Sequence, residues 1–160
     1  MMTLKRFKIH LTSQGSTLNP IPTLKQSGLL KIGDNEAMTA RDVVSVLVAS
    51  TALSESAAVE HFIKTVNLVD ADGCSFGEAL QGLLESGDPG VSSVHVCLST
   101  PWARIALLNG NVLDYSHENS KPCAIRQEAV ITGGFISMLA FMLNNETKSG
   151  WKGVKDESQA

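Results

Sequence analysis

The second half of the chain holds two histidines and two cysteines that could ligate a metal: His95, Cys97, His117 and Cys123. His95 and Cys97 are two apart, so on a strand they project from one face, and His117 and Cys123 could then close a tetrahedral zinc site. The spacing matches no zinc ligand pattern, and a buried cysteine beside a half-buried histidine on an alternating strand accounts for the same residues. No metal and no cofactor are expected. Asp70-x-Asp72-Gly73 has the opening of a calcium loop, but the glycine comes too early and Gln81 stands where the terminal bidentate acid belongs. A turn ahead of a capped helix explains it. Cys74, Cys97 and Cys123, with four histidines, allow several nucleophile–base pairs, and no local signature selects one. The acids are scattered, and the sequence holds no phosphate loop, no dinucleotide glycine pattern and no G-x-S-x-G elbow. The chain is therefore expected not to be an enzyme, with small Cys/His chemistry ranked behind binding functions.

Basic residues offer a different chemistry. Arg104 falls on one expected strand, and Lys121 and Arg126 flank Pro122 in a polar loop and the strand after it. If the loop from Tyr115 to Pro122 projects from a hairpin, Lys121 and Arg126 could meet phosphates. Asp114, Glu118 and Glu128 oppose a positive patch there, and the net charge of −3 gives the chain as a whole no attraction for polyanions. Lys5, Arg6 and Lys8 form a second basic cluster near the start.

The elements that would position these residues follow from patterning. With 160 residues, 43% hydrophobic and 18% charged, the chain fits one globular domain. Phe7, Ile9 and Leu11 alternate with Arg6, Lys8 and His10, which predicts an N-terminal strand over Leu4–Leu11. A loop over Thr12–Pro22 and a short strand over Leu29–Ile32 follow. Thr39-x-x-Asp42 opens a helix carrying Val43, Val44, Leu47 and Val48. Ser54 caps a second helix with Ala58, Phe62 and Val66, and Ser75-x-x-Glu78 caps a third that Gly87-Asp-Pro-Gly90 stops. Strands are expected over Ser93–Leu98 and Ala103–Leu108, with Asn109-Gly110 as the turn into Val112–Tyr115. Cys123–Ile131 reads as a return strand and Phe135–Leu143 as a buried helix. The fold class is α+β: an N-terminal strand, two to three short helices, an antiparallel sheet with a projecting arm, and a C-terminal apolar helix. Residues 1–145 form one domain, and 146–160 a polar tail that frays. No stretch reads as a membrane span or a signal peptide. An odd number of cysteines without C-x-x-C spacing suits a reducing compartment, so a cytoplasmic location is expected.

One segment carries a family likeness. Thr39-Ala-Arg-Asp-Val-Val-Ser-Val-Leu-Val-Ala-Ser-Thr-Ala-Leu-Ser-Glu-Ser-Ala-Ala-Val59 resembles the helix–turn–helix opening of the HU and integration-host-factor superfamily, in its Bacteroidetes-type HU-like group. The lead-in Ile9-His10-Leu11-Thr12, the Thr100-Pro101 strand with Asn109-Gly110 after it, and the order strand, arm with Pro122, strand, apolar helix are similar to that group. The resemblance covers about two thirds of the chain in pieces. The stretch from Asn67 to Gly90 is longer than the family's, and the arm lacks the family's dense Arg/Lys. What the resemblance implies is an intertwined homodimer gripping double-stranded DNA non-specifically. Pro122 would be the wedge, with Lys121 and Arg126 as phosphate contacts; Arg104, from its place on the strand before, joins them in the candidate DNA-binding set. A protein-interaction module on the same scaffold, without DNA binding, is the alternative.

Overall fold

The computed structural model describes residues 2–117 and 125–157, with side chains as far as 145. The chain is α+β, with five helices, a four-stranded antiparallel sheet and a long final helix among the described residues.

The first element is a helix, α1 (Leu4–Ser13), where alternation predicted a strand. Leu4, Phe7 and Leu11 are buried at helical spacing, while Ile9, which alternation assigned to the same face, is 61% exposed. Thr3 caps α1 by accepting the Arg6 N–H at 3.3 Å. The cap and the stripe together outweigh a period-two pattern whose middle member has nowhere to be buried. A one-and-a-half-turn helix, α2 (Ile21–Gln26), follows, with Pro22 in its first turn. The expected strand over Leu29–Ile32 does not form: Leu30 is buried in irregular backbone outside any ladder.

The centre of the core is α3 (Ala40–Ala49), in which eight of ten residues are buried. Its capping box is complete: Thr39 Oγ1 accepts the Asp42 N–H, and the Asp42 carboxylate accepts the Thr39 N–H at 2.9 Å. The next helix, α4 (Ala58–Val66), begins one turn later than Ser54 implied; Ser54 Oγ accepts the Ala57 N–H ahead of it. α5 (Phe76–Glu85) starts at its expected cap, Ser75, and buries Phe76, Leu80 and Leu84.

The strands are β1 (Val91–Cys97), β2 (Trp102–Leu107), β3 (Val112–Ser116) and β4 (Glu128–Thr132), in the order β3-β2-β1-β4. β2 and β3 form a hairpin closed by the Gly110 N–H to the Leu107 carbonyl at 3.1 Å, with Gly110 at φ +90°, the left-handed position such a turn requires. β3 and β4 lie at opposite edges, so the described strands on either side of residues 117–127 are not paired with each other. The tip of the expected arm lies outside the described residues.

Alternation gives the sheet one apolar face, with Val94, Val96, Ala103, Ile105, Tyr115 and Ile131 buried. The register slips between Val91 and Ser93, a bulge that lets both Val91 and Val94 reach the core. The last helix, α6 (Gly133–Glu157), leaves β4 without a loop and buries Ile136, Leu139 and Ala140. Its backbone stays helical through Glu157, where the sequence pattern predicted a frayed tail from residue 146. At the start of α6, a Cβ on Gly133 would lie 1.9 Å from the Val91 carbonyl oxygen, so only glycine admits this contact with the bulge. No helix among the described residues is long and apolar enough to cross a membrane.

Candidate functional surface on the outer face and free edge of the sheet

The outer face of the sheet carries Ser93, His95, Arg104, Asp114, Glu128 and Val130, all half-buried or exposed. Register decides who meets whom. Arg104 on β2 stands opposite His95 on β1 and Asp114 on β3, and His95 stands opposite Val130 on β4. Arg104 forms a two-pronged ion pair with Asp114, at 2.6 and 3.1 Å. Arg126, just before β4, pairs with Glu128. Both guanidinium groups also lie over the ring of Trp102, at 5.1 and 4.4 Å from its centroid, so the indole is only 4% exposed.

The structure thus brings together two of the predicted contact residues, Arg104 and Arg126, but around a tryptophan and opposite two carboxylates. Their charges are spent inside the cluster. Lys121 and Pro122 fall outside the described residues.

Glu128 is shared. Besides Arg126, its second oxygen lies 3.0 Å from His95 Nδ1, and His95 Nε2 lies 2.9 Å from Ser93 Oγ. The Arg126 guanidinium, and then His95, hold the Glu128 carboxyl below its ordinary value of 4.5 against the opposing pull of partial burial. A line of four polar side chains therefore runs Ser93–His95–Glu128–Arg126 across the outer face.

β4 is an edge strand. The Leu98 N–H donates to the Gln127 carbonyl at 2.8 Å, which marks that pair as hydrogen-bonded. By antiparallel alternation, the Ala129 and Ile131 backbone groups face β1, while those of Glu128, Val130 and Thr132 face away from it. Beside this edge runs a groove of about 320 Å³, floored by Leu11, Leu47, Ile131 and Phe135 and flanked by the C-terminal ends of α1 and α3. Among the described residues no charged side chain lines it.

The described members of the metal set imagined from the sequence are not gathered around one another by any contact between them. His95 is engaged by Ser93 and Glu128, Cys97 Sγ lies 3.5 Å from the hydroxyls of Ser99 and Thr100, and Cys123 lies outside the described residues. Among the described residues no three His, Cys, Asp or Glu side chains cluster closely enough to hold a metal. Cys97 and His61 line one pocket, but His61 Nε2 is bonded to Thr51 Oγ1 at 2.8 Å. Burial raises the Cys97 thiol, and hydrogen bonds from Ser99 and Thr100 outweigh it and bring the thiol below its ordinary value.

Trp102 and the line through Glu128 were not singled out from the sequence. The signal was present in part: Ser93 and His95 share a strand face by their two-residue spacing, but which acid would cross to meet them depends on the β1–β4 register. Comparison of the chain with known protein families, curated sequences and solved structures finds no match.

Proposed function

We propose that this chain is a protein-interaction module that accepts an extended peptide as an added strand along β4. The observation that carries the reading is that β4, among the described strands, is paired on one side only, with a groove of uncharged described residues beside it. Strand addition uses main-chain hydrogen bonds for affinity and alternate side-chain pockets for choice of partner. Glu128, Val130 and Thr132 supply the outward N–H and C=O groups, and Leu11, Leu47 and Phe135 supply the apolar wall. The groove is of the size of ordinary binding cavities, about 300–1,000 Å³. The favoured peptide is uncharged over this stretch, with an apolar side chain at every second position. A cytoplasmic location accompanies the reading, since Cys74 and Cys97 are free thiols.

Val130→Pro tests it. The Val130 N–H faces outward, so proline removes one donor to the guest strand and none from the β1 ladder. A peptide-display library panned on the wild-type domain is expected to enrich alternating apolar sequences, and those peptides should lose binding at least about tenfold to the variant, one hydrogen bond in a desolvated edge. Equal binding by the two proteins would remove the edge from the account. Sizing by light scattering across concentrations shows whether a second copy occupies the same edge, as a homodimer paired through β4 would require.

A second reading, HU-like contact with duplex DNA, is favoured by one observation. α1 exposes Lys5, Arg6 and Lys8 and contains no acid. Arg104 and Arg126 argue the other way, because phosphate would have to displace Asp114 and Glu128. Duplex retention at about 50 mM salt, lost on Lys5→Ala with Lys8→Ala, would support DNA contact through α1; no retention would end it.

A further inference from the structure

Strand addition at the edge leaves the outer-face line Ser93–His95–Glu128 unused. Its order is chemically specific. A carboxylate accepts and does not donate, so the His95 tautomer that fits this contact carries its proton on Nδ1, which faces Glu128 at 3.0 Å. That tautomer leaves the Nε2 lone pair to accept the Ser93 hydroxyl, 2.9 Å away. A hydroxyl on a base, with the base turned by an acid, is the arrangement that activates serine as a nucleophile. From this geometry we infer a second, catalytic site: Ser93 is the nucleophile of an acyl-transfer reaction on carboxylic esters. His95 is its general base, and Glu128 is the residue that positions His95.

The fold explains how a strand presents these groups. Ser93 and His95 are two apart on β1, so both face outward, and Glu128 reaches His95 diagonally from its place opposite Cys97 on β4. The bulge beside Ser93 keeps Val91 in the core without turning Ser93 inward, and bulges commonly re-aim a side chain next to a reactive site. Gly133 lets the start of α6 press against the carbonyls of Val91 and Ser92, which fixes the bulge. The register also sets Thr132 opposite Ser93. Thr132 Oγ1 accepts the Phe135 N–H at 3.3 Å, so its own hydroxyl proton remains to be donated. The Thr132 hydroxyl is the donor assigned to the developing oxyanion.

The step balances with water as the only co-reactant. The Ser93 oxygen bonds to the ester carbonyl carbon as its proton passes to His95 Nε2, and the carbonyl electron pair moves onto oxygen. The carbonyl re-forms, the bond to the alkoxy oxygen breaks, and the leaving alcohol takes the proton from His95. Water then attacks the acyl-serine with its proton accepted by His95; the bond from the acyl carbon to Ser93 Oγ breaks, Oγ takes that proton back from His95, and the carboxylic acid leaves. Ser93 and His95 lie half-buried on the outer face of the sheet, which suits a small ester as substrate.

The test uses the full chain with a fluorophosphonate probe, which a nucleophilic serine attacks with loss of fluoride, and with p-nitrophenyl acetate. One adduct per chain, mapped to Ser93 by peptide mass spectrometry, is expected. Ser93→Ala and His95→Gln should abolish it while melting as the wild type does. Glu128→Gln should slow labelling at least about 100-fold, and Glu128→Asp should recover part of that loss, which a purely structural role would not predict. An adduct elsewhere, none at all, or equal labelling of Ser93→Ala would overturn the assignment. If a variant fails to fold, the adduct site in the wild type decides alone.

Discussion

At the scale of single residues, Glu128 joins two side chains of the outer face, touching Arg126 on one oxygen and His95 on the other. Its folded value lies below 4.5, so the stability it contributes is present in full above the ordinary carboxylate range and is lost as pH falls through the folded value. The amount is small, below about 1 kcal/mol, because both partners of the Arg126 pair keep solvent contact. Arg126→Met removes the largest cause of the lowering. A carboxyl titration followed by NMR is expected to show the Glu128 inflection moving up toward 4.5 in that variant. An unmoved inflection would mean that the ion pair does not hold in solution. The acids opposing Arg104 and Arg126 were legible in the sequence as a weakness of the positive patch. Trp102 was not, because an aromatic after Thr100-Pro101 carries no sign of which side chains will cover it.

Among the elements, caps were read well and periods less well. Thr39 with Asp42, and Ser75, mark their helices where they occur, since a cap is a local hydrogen bond that does not wait for tertiary structure. The first segment went the other way because Leu4-Lys-Arg-Phe-Lys-Ile-His-Leu11 satisfies both periods, and only burial separates them. Substitution makes the distinction measurable. Phe7→Ala is expected to cost about 3–5 kcal/mol, as for a large side chain removed from a core, whereas Ile9→Ala should fall within about 0.5 kcal/mol of wild type. Chemical denaturation of the two variants checks this; comparable losses would point back to a strand with Phe7 and Ile9 on one face. Leu29–Ile32 failed as a strand for a related reason: a short apolar run signals burial, and Leu30 is buried, but nothing local says that a ladder partner will be there.

For the whole molecule, class was readable and topology was not. The shift from capped helical stripes to alternating segments near Gly90 gives α+β directly. The order β3-β2-β1-β4 is another matter, because it depends on residues 117–127 joining opposite edges of the sheet, and no local pattern encodes a crossover. That order has two functional consequences. It puts Glu128 beside His95, and it leaves β4 as an edge with the groove next to it. Amide hydrogen exchange along β4 tests this arrangement most directly. In the domain alone, Ala129 and Ile131 should exchange slowly and Glu128, Val130 and Thr132 fast, and a peptide selected on the wild-type domain should slow the second set alone. Uniform protection along β4 without peptide, or outward amides left unchanged by a peptide that binds, would contradict an edge open to strand addition.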